Sequence, residues 1–189
     1  MRFLSFEANG QAGIGWVKDI HATDFVNLTL AAPELPRNLK DLINSPGGFN
    51  AADTAARKAP ASAIQAMSSV TMLPLIPDPG KIVCMGLNYA DHAKEGGNAR
   101  PEYPSFFLRG NTSMVGHQQA IVRPKASTQL DYEAELAVII GKKAQYLKNH
   151  EEALDAIFGY TVTLDLTALD VLSKNPRYLT RSKSFDTFF

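Results

Sequence analysis

Long apolar runs, clustered cysteines and an excess of charge of either sign are all missing from this 189-residue chain. With 19 Lys+Arg against 19 Asp+Glu the formal net charge is zero. That balance excludes the strongly basic surface of a nucleic-acid binder and the polybasic stripe of a membrane-surface protein. The single cysteine, Cys84, excludes an internal disulfide framework and a cysteine-built zinc site. Set in an apolar strand with no base beside it in sequence, Cys84 reads as core rather than nucleophile. Leu136–Gly141 is among the longest apolar stretches and falls far short of the ~18 residues that span a bilayer. The opening residues Met1–Glu7 reach an acid too soon for a secretory signal and lack the Arg/Ser-rich character of a transit peptide, so a cytoplasmic protein is expected. What remains is ordinary for a globular domain, with 45% apolar and 20% charged residues.

Phe3–Phe6, the pair Asn9-Gly10 and Ile14–Val17 read as a hairpin. From Pro33 to Ser69 the pattern is helical: Leu39, Leu42 and Ile43 keep helix spacing, Ala51–Lys58 is Ala-rich, and a further helix is expected around Ala63–Met67 beyond Pro60. Pro74, Pro77, Pro79 and Gly80 then mark a boundary between an N-terminal appendage, 1–76, and a body, 77–189. The body turns to strands: Lys81–Met85, Ser105–Arg109, Ala120–Arg123, Tyr132–Ile140 and Tyr160–Leu166. Asn149 is placed to cap a short helix running to Ile157, with Glu151 and Glu152 in its first turn.

Glu133 and Glu135 share one face of their strand, because side chains alternate with period two. Paired carboxylates on a strand that becomes wholly apolar repel each other and resist desolvation. A hard divalent cation relieves both, since Mg²⁺, Mn²⁺ and Ca²⁺ take carboxylate oxygens; a wet strand end is the other reading. Thr161, Thr163 and Asp165 line the polar face of the next strand. Asp165 would either complete a three-carboxylate set or cap a helix over Thr167–Leu172. His92 and Glu95, three residues apart on one helical turn, form either a water-activating pair or a surface pair.

Taken together, Lys81–Glu95, Phe106–Arg109, Asp131–Gly141, Gly159–Asp170 and Arg181–Phe188 resemble the fumarylacetoacetate hydrolase family. The nearest branch holds acylpyruvate hydrolases, oxaloacetate decarboxylases and 2-hydroxyhepta-2,4-diene-1,7-dioate isomerases. The resemblance implies an α+β fold that is mainly β, a mixed β-roll with a small N-terminal appendage, assembled as a homodimer or higher homo-oligomer. It implies that Glu133, Glu135 and Asp165 hold Mg²⁺ (or Mn²⁺ or Ca²⁺). His92 and Glu95 would activate water, Lys183 would polarise the substrate and Arg109 would face a substrate carboxylate. The implied substrate is a small 2-oxo or 2,4-dioxo acid. The implied reaction is C–C hydrolysis, decarboxylation or keto–enol isomerisation, with neither nucleic acid nor membrane as partner.

Two departures stand out. The family usually has arginine where this chain has Leu169 and often glutamine where it has Leu172, so Asp170 is expected to be exposed or paired with Lys174 or Arg177. Family members also continue well beyond the Lys183 motif, so strands are expected to lack partners in a shortened chain or one completed by other chains. Both departures favour the alternative of a degenerate, non-catalytic family protein acting as a structural partner.

Overall fold

The computed structural model describes residues 1–189 except Gly96, Asn98 and Arg100, and gives the backbone alone for His92 and Glu95. The chain is α+β and mainly β, and divides into two compact units. One comprises Met1–Asp78, Val115–Ala120 and Ala134–Thr163; the other comprises Pro79–Met114, Ile121–Glu133 and Leu164–Phe189.

The first unit is built on an antiparallel sheet of β1 (Arg2–Ala8), β2 (Gln11–Val17), β3 (Asp24–Asn27), β4 (Ile64–Ala66) and β5 (Thr71–Leu73), in the order β4-β3-β2-β1-β5. Ala8 pairs with Gln11, so the hairpin turn is the expected two-residue Asn9-Gly10. Both residues take positive φ, 51° and 73°, the left-handed pair that an Asn-Gly turn supplies. Three helices cover the sheet residues: α1 (Leu28–Ala31), α2 (Leu39–Asn44) and α3 (Gly48–Arg57). Leu28, Leu39, Leu42, Ala52 and Ala56 from these helices join Ile14 and Val26 in one core. Phe25 also presses on Gly15 so closely that any β-carbon there would collide with its ring.

Residues Ile64–Ala66 form a strand where the Ala-rich composition predicts a helix. They pair with Asp24–Val26, and that tertiary pairing outweighs the weak helical preference of a three-residue stretch. The strand expected at Ala120–Arg123 is also absent: these residues are irregular. The Val122 N–H is taken by the Thr187 hydroxyl at 2.8 Å, and Pro124 follows directly.

The second unit holds the ribbon of β6 (Ile82–Gly86) and β7 (Ser105–Arg109), with α4 (Ala90–Glu95) after β6. β8 (Leu130–Ile140) and β9 (Ile157–Ala168) pair in a two-stranded sheet. The Leu169 N–H reaches Gln129 O at one end of this ladder, and Gly141 N–H reaches Ala156 O at the other. The strands are therefore antiparallel, and the start of β8 lies beside the end of β9. Between them sits α5 (His150–Asp155), capped as expected by the Asn149 side chain accepting from the Glu152 N–H. Beyond β9 come α6 (Leu169–Leu172) and α7 (Leu179–Lys183).

Both ribbons carry apolar side chains on a second, exposed face: Val83, Met85, Phe106 and Leu108 on one, Leu136, Val138, Tyr160 and Val162 on the other. On β6–β7, where Ile82 and Phe107 are buried on the opposite face, this is the pattern of strands covered from two sides; the opposite face of β9 carries Thr161, Thr163 and Asp165 instead. Among the described residues no helix is long and apolar enough to cross a membrane.

Phe188 is fully buried with Leu166, Ala168 and Val171, and its ring meets Phe185 edge-on at 5.3 Å. Asp170 is held chiefly by hydroxyl and backbone donors, with the expected Lys174 adding a weaker attraction. Its carboxylate accepts from the Ser127 hydroxyl at 2.5 Å and from Thr128 N–H at 2.9 Å. These bonds, the Ser127 hydroxyl foremost, hold its carboxyl below the usual range.

Two outcomes follow from these contacts. Phe188→Ala should lower unfolding stability by about 3–5 kcal/mol in urea titrations, the cost of emptying a buried aromatic site. Asp170 has a lower pKa folded than unfolded, so its contribution is complete above the unfolded carboxylate value and is lost as pH falls through the folded one. The urea midpoint of the native chain should therefore exceed that of Asp170→Asn at pH 7, and the gap should close as the solution is acidified below about pH 4.

Candidate metal centre

Three carboxylates meet on the β8–β9 ladder. Glu133 and Glu135, two apart on β8, share a face by the period of the strand. Asp165 lies near the end of β9, which the antiparallel pairing brings to the start of β8. Oxygen atoms of Glu133, Glu135 and Asp165 all lie within 4.8 Å of one another. Asp165 is inside the strand, and α6 begins only at Leu169 with Ala168 before it, so Asp165 is not a helix cap.

Two cations converge on the same carboxylates. The Lys183 ammonium, brought in by α7, donates to Asp165 Oδ2 at 2.7 Å, to Thr167 Oγ1 at 2.7 Å and to Glu133 Oε1 at 3.4 Å. Arg109, the last residue of β7, pairs with Asp165 Oδ1. It also donates to the carbonyls of Leu166 and Phe188, each at 3.2 Å. Arg109, with a fully buried side chain, directs guanidinium donors at Asp165 and two carbonyls; sequence reasoning expects it to face a substrate carboxylate.

Burial pushes the Lys183 ammonium below the ordinary lysine range, and the Arg109 charge adds to that push while Glu133 opposes it. Among the described residues Lys183 reaches Glu133 and Asp165, and Arg109 reaches Asp165, at a site where three carboxylates gather. A donor set made only of carboxylate oxygen suits a hard ion. Opposite oxygens around Mg²⁺ stand about 4.2 Å apart and those around Ca²⁺ about 4.6–5.2 Å, so a spread of up to 4.8 Å admits Ca²⁺ directly and Mg²⁺ after a small closure of the carboxylates. Each Asp165 oxygen keeps a lone pair beyond the one used by its cation.

Sequence reasoning does not single out Thr167. Its side chain is buried and accepts from Lys183. The signal was present, since Thr161, Thr163 and Asp165 alternate on the polar face of β9 and Thr167 is the next step. It is hidden by ending the strand at Leu166, two residues before it stops. The side chains of His92 and Glu95, the expected water-activating pair, lie outside the described residues; the backbone from Ala90 to Glu95 is helical, as that pairing requires.

Comparison with known proteins agrees with this geometry. A mitochondrial oxaloacetate tautomerase of Xenopus laevis is 35% identical over 167 residues, covering 87% of this chain and 51% of that protein. A fumarylacetoacetate hydrolase structure from Exiguobacterium antarcticum superposes with a TM-score of 0.74 at 30% identity, over 98% of this chain and 62% of that one. A 2-hydroxyhepta-2,4-diene-1,7-dioate isomerase structure from Mycobacterium marinum gives a TM-score of 0.70 over 100% of this chain and 62% of that one; at 22% identity it bears on the fold alone. The chain spans about half the length of the tautomerase it matches. Residues 81–189, which carry every carboxylate and cation of the centre, match the family described as fumarylacetoacetate (FAA) hydrolase, C-terminal. The chain belongs to the fumarylacetoacetate hydrolase family.

Proposed function

We propose that this protein is a divalent-metal-dependent enzyme acting on a small 2-oxo or 2,4-dioxo acid by way of an enolate. The observation that carries the reading is the convergence of Glu133, Glu135 and Asp165 beside the Lys183 ammonium. Glu133, Glu135 and Asp165 would hold the ion, preferably Mg²⁺ or Mn²⁺. Bound there, it supplies Lewis-acid polarisation of an oxo group and neutralises charge that develops next to it.

The chain's own residues do the rest. Lys183 sits against Asp165 and Glu133 and offers a positive charge where an oxyanion would grow. Thr167 accepts one of its hydrogen bonds and so fixes the direction of the ammonium. His92, oriented by Glu95, is the proposed base for water in the hydrolytic version of the reaction. An enolate serves C–C hydrolysis, decarboxylation and keto–enol isomerisation alike; the three differ in where the proton goes. The tautomerase among the relatives supports the isomerisation branch.

A second reading, a family member without catalysis, draws on Leu169 and Leu172, which replace the usual arginine and glutamine. The two readings separate in one set of assays. Saturating Mg²⁺ or Mn²⁺ at a hundredfold excess over Kd should stabilise the fold by about 2.7 kcal/mol, a rise in Tm of roughly 5–10 °C. Glu135→Ala should abolish that rise. With Mg²⁺ present, oxaloacetate tautomerisation, acetylpyruvate cleavage or dienoate isomerisation should be accelerated. A thermal shift without turnover of any of the three identifies the non-catalytic reading, and no shift with either ion overturns the metal assignment.

A further inference from the structure

We infer that Arg109 is a positioning residue that fixes the orientation of Asp165 for metal binding; this rests on the metal reading proposed above. Its side chain is fully buried, so the guanidinium is out of reach of a substrate in water. Three of its acceptors lie in two short stretches: Asp165 Oδ1 and Leu166 O on β9, and Phe188 O in the segment after α7. The same Phe188 carbonyl also accepts from the Leu166 N–H at 3.1 Å. Arg109 is therefore the node that stitches the 185–188 segment to the strand residue following the proposed ligand.

The arrangement around Asp165 shows what the node does. Arg109 engages one carboxylate oxygen and Lys183 the other, so the plane of the carboxylate is held from both sides. Lys183 alone would act as a compact point charge about which the carboxylate can turn. A planar guanidinium with several donors in fixed directions, bonded at once to the carboxylate and to two backbone carbonyls, removes that freedom. The guanidinium is itself held in place, with the Phe189 ring 5.3 Å and the Phe107 ring 5.9 Å from its central carbon. Charge neutralisation alone does not set this geometry, because Lys183 also supplies a counter-charge to Asp165 and the two backbone carbonyls that Arg109 bonds carry none. Groups that orient a metal ligand from behind commonly matter 10–100-fold to metal affinity.

The test is Mn²⁺ binding to the purified chain and two variants, measured by titration calorimetry, with circular dichroism and urea midpoints taken in parallel. Arg109→Lys keeps the charge and loses the fork; it should weaken Mn²⁺ at least tenfold while the protein stays folded. Phe189→Leu removes only the ring beside the guanidinium and should weaken Mn²⁺ about threefold; it carries the test if Arg109→Lys does not fold. Unchanged Mn²⁺ affinity of the folded protein in these variants, with or without a lower urea midpoint, overturns the inference and leaves Arg109 a structural or purely electrostatic residue. Failure of the native chain to bind Mn²⁺ overturns instead the metal reading on which the inference rests.

Discussion

Everything at the centre of this protein depends on one buried carboxylate. Asp165 is enclosed near the end of β9, where an isolated negative charge would be costly. It is tolerable because Arg109 and Lys183 hold its two oxygens. Those two cations come from β7 and α7, and the Phe188 carbonyl bonded to Arg109 comes from the segment after α7. One acidic side chain thus specifies how three separate stretches of sequence meet. The ladder that carries Asp165 also aligns Glu133 and Glu135 with it.

The same accounting links stability to function. Arg109 and Lys183 together make Asp165 bearable, and the three carboxylates gathered here offer the oxygen donors that suit a hard divalent ion. Arg109 and Lys183 divide the labour accordingly. Arg109 is enclosed and bonded to backbone; Lys183 touches both Asp165 and Glu133 and stands where chemistry would occur.

Much of this was legible in the amino-acid sequence, and the illegible parts have physical causes. Asn9-Gly10 announced its turn because only a few residue pairs take two positive φ values at low cost. Glu133 and Glu135 were visible because alternation along a strand is a local property. The placement of Asp165 beside them needed the resemblance of the whole motif set, since strand pairing is not local. The Arg109–Asp165 pairing is not legible in the sequence, because a basic residue ending a strand looks the same whether its partner is a substrate or a distant aspartate. Lys174 does act on Asp170 as its sequence position suggests, but the hydroxyl and backbone donors at Ser127 and Thr128 that bind it most strongly lie over forty residues away, where the sequence gives no local signal. Ile64–Ala66 joined a sheet against its composition because β3 offered an edge.

The most direct test of the account is anomalous diffraction from crystals of the chain soaked in Mn²⁺. The account predicts a single strong peak about 2.1–2.2 Å from oxygens of Glu133, Glu135 and Asp165, with Arg109 still bonded to Asp165. A featureless anomalous map at that position, with the Lys183 ammonium remaining between Glu133 and Asp165, would contradict it.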